Sequence, residues 1–449
     1  MASSKIASKS SAKNSLIPIA EFIIQEGKRL GATECDVRIS TSNSVDTGVR
    51  LGEVETLEGA RSRGLQFEAY VGKKSASTST SDLRRPALTE LVRNTIAMAN
   101  ASEEDPFAGL PEAKYLAKEI PDLGLTDGAI AKISTEKKIQ MALAAESAAR
   151  GFDKRITNSR GASFTDWSGT TVYANSHGFI GTYSSTHCSI SAAVVASQDD
   201  QMQVGGWSSG ALSFSKLESP EEVGITAAKR ALRMLGAKKV KSQVVPVVFD
   251  PLMAAQLLAQ FVGATAGSHV YRNSSFLAGK IDQMVASKFV TIVDDPLMIG
   301  GLGSRPYDGE GLPALRRTLV ENGKLNTYLL SSYSARKLST TPNSGSTGNL
   351  YFEPGSLSQQ EIIASVGTGL FLTSVSGPGF NVVTGDYSRG ASGLWIENGE
   401  LTFPVEGITI AGNMLEMFNN IDAIGNDLIF RSSTVSPTIK IASMMVAGD

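Results

Sequence analysis

Apolar residues recur at helical spacing from about Leu16 to Leu30, which predicts an amphipathic helix. Short alternating runs follow, CDVRIS, VDTGVRLG, EVETLEGA and LQFEAYVG, separated by Gly, Asn and Asp. They predict short strands in an antiparallel meander. Helical spacing returns over Pro86–Ala99 and again from Ser134 to Ala149, with Glu136 and Lys137 in the first turn of the latter. Between these two helices, Glu103 to Ile133 is rich in Pro, Gly and Asp and reads as a long connection, with a sub-boundary near residues 103–133. Strand alternation resumes from Ile156 to Gln203, clearest in TTVYAN and SISAAVVAS.

A fourth helix has a well-marked start. Ser219 can cap, Pro220 suits the first turn and Glu222 completes a capping box, with an end near Leu235–Gly236. The apolar run VVPVVF then predicts a buried strand, and the main domain boundary falls near Lys238 to Ser242. Asp250 as N-cap and Pro251 at the first helical position open a further helix running to Gly267. Beyond it the glycine content rises: 20 of the 44 glycines lie between Gly300 and Gly425. Two Asn-Gly pairs, in Glu321-Asn322-Gly323 and Glu397-Asn398-Gly399, are strong hairpin signals. The expected fold class is α+β. Residues 1–15 form a disordered tail, residues 16–238 are sheets flanked by helices, and residues 239–449 are a Gly-rich, mostly antiparallel, barrel-like β domain. Short helices are expected at Ser331–Leu338 and Asn413–Asn420.

The chain has 449 residues, more than one ordinary core needs, and a formal net charge of −2. That balance gives no electrostatic footprint for nucleic acid or an anionic membrane. Leu252 to Gly267, the longest weakly polar stretch, is too short to span a bilayer. Two cysteines, Cys35 and Cys188, are too few for a disulfide framework and fit a reducing compartment, so a cytoplasmic protein is expected. With three histidines, His177, His187 and His269, the chain is poor in the usual zinc ligands and general bases.

Short motifs offer little chemistry. Gly206-Trp207-Ser208-Ser209-Gly210 matches G-x-S-x-G, but strand-like alternation follows where a nucleophile elbow needs a helix. Ser334 and Lys337 match S-x-x-K, which on a helix can set an amine beside a hydroxyl; the bland reading is a helix start with Arg336 and Lys337 exposed. Asp294, Asp308 and Glu310 could bind a divalent cation through oxygen, but Asp beside Pro and Gly is more often turn chemistry. His187 and Cys188 are adjacent in a strand, so they point to opposite faces and cannot share a metal.

Longer blocks carry more. Arg155-Ile-Thr-Asn158, Asn175-Ser-His-Gly-Phe179, Val270-Tyr-Arg272 with Ser275-Phe-Leu277, and Tyr333 to Leu338 occur in order. They are followed by Gly367 to Leu370, Thr384 to Gly393, Trp395 to Gly399 and Ile408 to Asn413. In these blocks the chain resembles the TldD/PmbA family, on its PmbA (TldE) branch, over nearly its whole length. The resemblance implies a subunit of a cytosolic metalloprotease acting on peptides or unfolded proteins. In that family the TldD-type subunit carries H-E-x-x-x-H on a helix and a cysteine near the C-terminus as its zinc site, with the Glu activating bound water.

Read onto this chain, the two histidine places fall on Ala259 and Ala264, the Glu place on Gln260, and the cysteine place near Phe430 or Arg431. Alanine has no donor atom, and an amide cannot act as general base. The resemblance therefore implies no catalytic residue and no metal in this chain. It implies zinc in a TldD-type partner, a heterodimer or higher assembly with that partner enclosing a chamber, and a homodimer as the alternative for the chain alone. Asp386, Tyr387 and Arg389, in the most distinctive block, are expected at the chamber wall or interface or else fix a turn, with Asp308 and Glu310 as weaker candidates. Substrate is expected to add as a strand to a sheet edge of the C-terminal half. Two alternatives stay open: a zinc-independent hydrolase using Ser334 and Lys337, and a non-enzymatic scaffold.

Overall fold

The computed structural model describes residues 9–449. The N-terminal half runs α1 (Lys9–Arg29), β1 (Glu34–Arg50), β2 (Glu53–Val71), β3 (Lys74–Thr80), α2 (Arg85–Ala101), α3 (Thr135–Gly151), β4 (Ile156–Asn175), β5 (Ile180–Gln198), β6 (Gln201–Ala211) and α4 (Pro220–Leu232). Residues 1–8 of the expected tail lie outside the described residues, and α1 starts ahead of Leu16. The strands form one sheet in the order β3-β2-β1-β4-β5-β6, with every neighbour antiparallel.

The expected short strands are fused. CDVRIS and VDTGVRLG up to Arg50 belong to the single 17-residue β1, and EVETLEGA and LQFEAYVG up to Val71 to the 19-residue β2. The polar stretch between the apolar runs keeps its strand conformation because each of its residues is paired on β2 and on β4, from Ser42 to Asp46. Helices α1 and α2 pack on one end of this sheet around Val37, Ile39, Phe67 and Val172. Helices α3 and α4 pack on the other end around Phe164 and Ile190. Val172 and Phe164 lie an even number of residues apart in β4, so all four helices cover the same face.

The caps follow the sequence. Ser134 accepts from the Lys137 N–H, and Ser219 and Glu222 form the complete capping box of α4. Helices α3 and α4 touch at Gly224, where an added Cβ would sit 2.1 Å from the Ala145 carbonyl oxygen. Gly224→Leu is expected to lower the unfolding free energy by about 3 kcal/mol, the upper range of overpacking, as read by urea denaturation. A change below about 0.5 kcal/mol would show that the two helices separate freely.

The C-terminal half runs β7 (Gln243–Phe249), α5 (Pro251–Gly263), α6 (Gly267–Val270), β8 (Ile292–Asp294), β9 (Arg317–Glu321), β10 (Lys324–Leu325), α7 (Ser332–Lys337), β11 (Leu350–Phe352), α8 (Gln359–Ala364), β12 (Thr368–Ser376), β13 (Asp386–Glu397), β14 (Glu400–Asn413), α9 (Met414–Asn419), β15 (Ile421–Ile424), β16 (Thr434–Val435) and β17 (Ile439–Ala447). Strands β14-β13-β12-β7-β17 are neighbours in that order, and β14 also pairs with β17, so the five close into a barrel. Only β7–β12 is parallel within the ring. A second sheet, β10-β9-β8-β11-β16, stands beside it. Both Asn-Gly pairs turn hairpins, at φ 48° and 84° for Asn322 and Gly323 and 52° and 82° for Asn398 and Gly399. The closing pairing of β14 with β17 spans only Thr409–Ala411, so among the strands the earlier part of β14 pairs with β13 alone.

Candidate functional site

The helix singled out by its missing metal ligands is α5. Asp250 caps it, accepting from the Met253 N–H at 2.9 Å, with Pro251 in the first turn. It stops at Gly263, short of the expected Gly267, and a separate turn, α6, follows. Met253, Leu257, Leu258 and Phe261 enter the barrel core, and the Phe261 ring stacks on Phe418 with centroids 3.9 Å apart. The opposite face, with Leu252, Gln256 and Ala259, lines a cavity of about 580 Å³. Trp207 and Arg233 from the N-terminal half and Arg431 from the C-terminal segment form other walls of it.

The positions implied for zinc do not converge on a donor set. Ala259 is exposed on the cavity wall, whereas Ala264 is fully buried at the C-cap of α5. The Gln260 Oε1 is buried without a hydrogen-bond partner. At the cysteine place, the Phe430 ring packs edge-on against Tyr351, and Arg431 pairs with Glu218. Cys35 and Cys188 are buried in the N-terminal sheet, where burial pushes both thiols up to about 12, away from the thiolate a metal takes. Among the described residues no group of three or more His, Cys, Asp or Glu is placed to hold a metal ion. The residues of this chain do not fit a zinc centre at α5.

The other sequence candidates have local partners. The Ser334 hydroxyl meets Ser331, at 3.1 Å to both its hydroxyl and its carbonyl oxygen. Lys337 lies over the Phe107 ring at 4.1 Å and 4.0 Å from Asp105. Arg336 is not exposed as the bland reading had it. Its guanidinium donates to the carbonyls of Phe107, Gly109 and Leu110 and ties the 103–133 connection to α7. Gly206 to Gly210 lies inside β6, which continues to Ala211, so no strand-to-helix elbow forms at Ser208. Asp308 accepts from the Glu310 and Leu312 N–H groups, which is turn chemistry, and Asp294 is buried in an ion pair with Arg317. Tyr387 is buried in the barrel core. Exposed Asp386 bonds Thr384 at 2.6 Å, and Arg389 donates to the Gly377 carbonyl, so both fasten local turns. Glu310 accepts from the Ser332 N–H at 2.8 Å and lines a small cavity of about 220 Å³ with Asp36, Arg38, Glu68, Tyr70 and Tyr173.

That small cavity had no sequence signal, because its three carboxylates lie far apart along the chain. Burial first, and the neighbouring Glu68 charge second, push the Asp36 carboxyl up to about 7. Burial also raises Glu68 and Glu310. A group whose pKa is raised on folding holds its proton more firmly in the folded state. Its contribution to stability is therefore present below the ordinary carboxylate range and is lost as the pH rises through about 7. Stability should fall between about pH 4 and pH 7 by up to about 1.4 kcal/mol per unit for this one proton. Asp36→Asn should flatten the fall. Thermal melts across that range check it; parallel profiles for the two proteins would show that Asp36 titrates normally.

The cavity beside α5 was also only partly legible. Trp207 lay inside a rejected motif, and Arg233 carried no motif at all. Its walls come from residues 207–436, which only the tertiary structure assembles.

Comparison with known proteins places the fold in a family. Residues 35–99 match a model described as PmbA/TldA metallopeptidase domain 1, residues 128–235 the central domain, and residues 242–448 the C-terminal domain of the same family. The chain is 37% identical to Metalloprotease PmbA of Escherichia coli O157:H7 over 95% of its own length and 94% of the relative's. It is 36% identical to a PmbA homolog of Haemophilus influenzae over 95% of each chain. A solved Bacteroides thetaiotaomicron protein, a proposed modulator of DNA gyrase, superposes with a TM-score of 0.93 at 30% identity, covering 96% of this chain and 99% of that one. TldE from Thermococcus kodakarensis shares the fold, with a TM-score of 0.85 at 19% identity over 96% of this chain and all of that one. The chain belongs to the PmbA/TldD metallopeptidase family.

Proposed function

We propose that this chain is the non-zinc subunit of a two-subunit cytoplasmic metallopeptidase acting on peptides or unfolded proteins, and that a TldD-type partner supplies zinc and catalysis. The supporting observation is α5 itself. Ala259, on its cavity-facing side, opens onto a cavity of about 580 Å³, yet Ala259, Gln260 and Ala264 carry neither an imidazole to hold zinc nor a carboxylate to act as general base. Tyr387 belongs to the core, so a contact with the partner from the Thr384–Gly393 block falls to its exposed members, such as Asp386. No helix among the described residues is long and apolar enough to cross a membrane.

The test is to measure metal content and peptide hydrolysis of the purified chain, with and without a TldD-type partner. The expected result is no stoichiometric zinc in the isolated chain, hydrolysis only on mixing, and its loss with chelator. Chelator-resistant hydrolysis by the chain alone, abolished by Ser334→Ala, would replace this reading with a serine hydrolase. No hydrolysis in the mixture would leave a scaffold.

A further inference from the structure

The cavity beside α5 holds an uneven distribution of charge. Trp207 is fixed at its edge: its Nε1 donates to Glu218 at 2.9 Å, Arg230 lies over the ring at 5.3 Å and Arg431 at 4.7 Å. Both of these arginines have a carboxylate nearby, Asp250 at 3.9 Å for Arg230 and Glu218 for Arg431. Arg233, the C-cap of α4, is on the same wall and differs. Its Nε is buried with no hydrogen-bond partner, and among the described residues no carboxylate makes an ion pair with it, although the charge of Asp250 on the same wall acts on it from a distance. Burial, and then the charge of Arg230, lower its pKa to about 10. Asp250 is already the cap of α5, and Asp427, the other carboxylate on the wall, accepts from the Thr438 N–H and hydroxyl at 2.8 and 2.7 Å.

The rest of the lining is largely apolar, including Leu252, Met253, Phe371, Ile429 and Val435. A half-buried guanidinium with no hydrogen-bonded carboxylate of its own is a ready receptor for one, which it can bind through two parallel N–H donors. The cavity volume falls within the range of about 300–1,000 Å³ typical of small-ligand sites. It also continues: Trp207, Leu252, Arg431 and Ser432 line a second, more polar groove of about 860 Å³ that runs along β4, β5 and β6.

We propose that this cavity receives the carboxylate-terminated end of a peptide, with the carboxylate on Arg233, the last side chain, apolar, against Leu252 and Phe371, and the preceding residues leading into the adjoining groove. The peptide part rests on the metallopeptidase reading; the carboxylate part rests on Arg233. The chain would then hold substrate by its C-terminus without cleaving it.

The test titrates the full chain by calorimetry with N-acetyl-Ala-Ala-Leu as the free acid, with the same tripeptide as its amide, and with acetate and inorganic phosphate. The acid is expected to bind saturably and the amide about tenfold or more weakly, the worth of a charge-assisted hydrogen bond. Acetate and phosphate should bind far more weakly than the peptide acid. Arg233→Gln should reduce the acid to the affinity of the amide. Because that change removes a half-buried group, a second variant is used: Ala259→Phe, at an exposed helix position on the cavity wall, should abolish binding without lowering Tm. Equal binding of acid and amide, no binding of either, or an unaffected Ala259→Phe would overturn the proposal. Phosphate binding as tight as that of the peptide acid would assign a simple anion site and overturn it too. Binding here needs neither zinc nor a partner, so its failure leaves the mixing experiment untouched, and failure of mixing leaves this titration untouched.

Discussion

Arg317→Ala is expected to lower the unfolding free energy by about 3–5 kcal/mol, the cost of leaving a buried charge without its partner. Asp294 is wholly inaccessible to solvent, and Arg317 reaches its Oδ2 through both Nε and Nη2 at 3.0 Å. The same guanidinium donates to the carbonyls of Ser344 and Ser346 at 2.9 and 2.7 Å, and the Gly348 N–H donates to the other carboxylate oxygen at 2.6 Å. One ion pair thus joins β8, β9 and the 343–348 loop. Burial raises the Asp294 carboxyl against the opposing pull of Arg317. Without the arginine, only the Gly348 N–H and the more distant Arg305 charge oppose that rise, so the carboxyl takes up a proton more readily in the folded state. The deficit should therefore be larger at pH 7 than at pH 5. Urea denaturation at both pH values measures it; a loss below about 1 kcal/mol at pH 7 would mean that water reaches the carboxylate once the arginine is gone.

Phe261→Ala is expected to cost about 3–5 kcal/mol, the range for removing a buried aromatic side chain. Phe261 is fully buried, stacked on Phe418 and edge-on to Phe276 at 5.9 Å. It is the largest buried side chain of α5, so it holds against the barrel the helix whose other face lines the cavity. Gln256→Ala, on the exposed face of the same helix, should stay within about 0.5 kcal/mol. Denaturant midpoints for the two variants check the pair. Equal effects would mean that α5 is not anchored through its buried face.

Much of the fold was legible because its signals are local. A cap acts over three residues, so Ser134, Ser219, Asp250, Ser331 and Asn413 each mark a helix start that the structure keeps. An Asn-Gly turn acts over two residues, and both pairs form hairpins. Strand length was misread because it depends on partners. Residues 42–46 have no apolar alternation of their own but are held between two neighbouring strands. Arg336 was misread for the same reason: its acceptors are the carbonyls of residues 107, 109 and 110, more than two hundred positions away.

The sequence by itself determined the family, the α+β class and the absence of histidine and glutamate at Ala259, Gln260 and Ala264, because identity and short-range spacing decide each of these. Only the tertiary structure decided that the barrel closes through β14 and β17, and that Asp36, Glu68 and Glu310 share one small cavity. It alone set Trp207, Arg233, Ala259 and Arg431 around another. The physical reason is that burial and electrostatic neighbourhood are properties of packed surfaces. Arg233 reads as an ordinary helix-end cation until α5 and the 427–436 segment enclose it and leave its Nε without a partner.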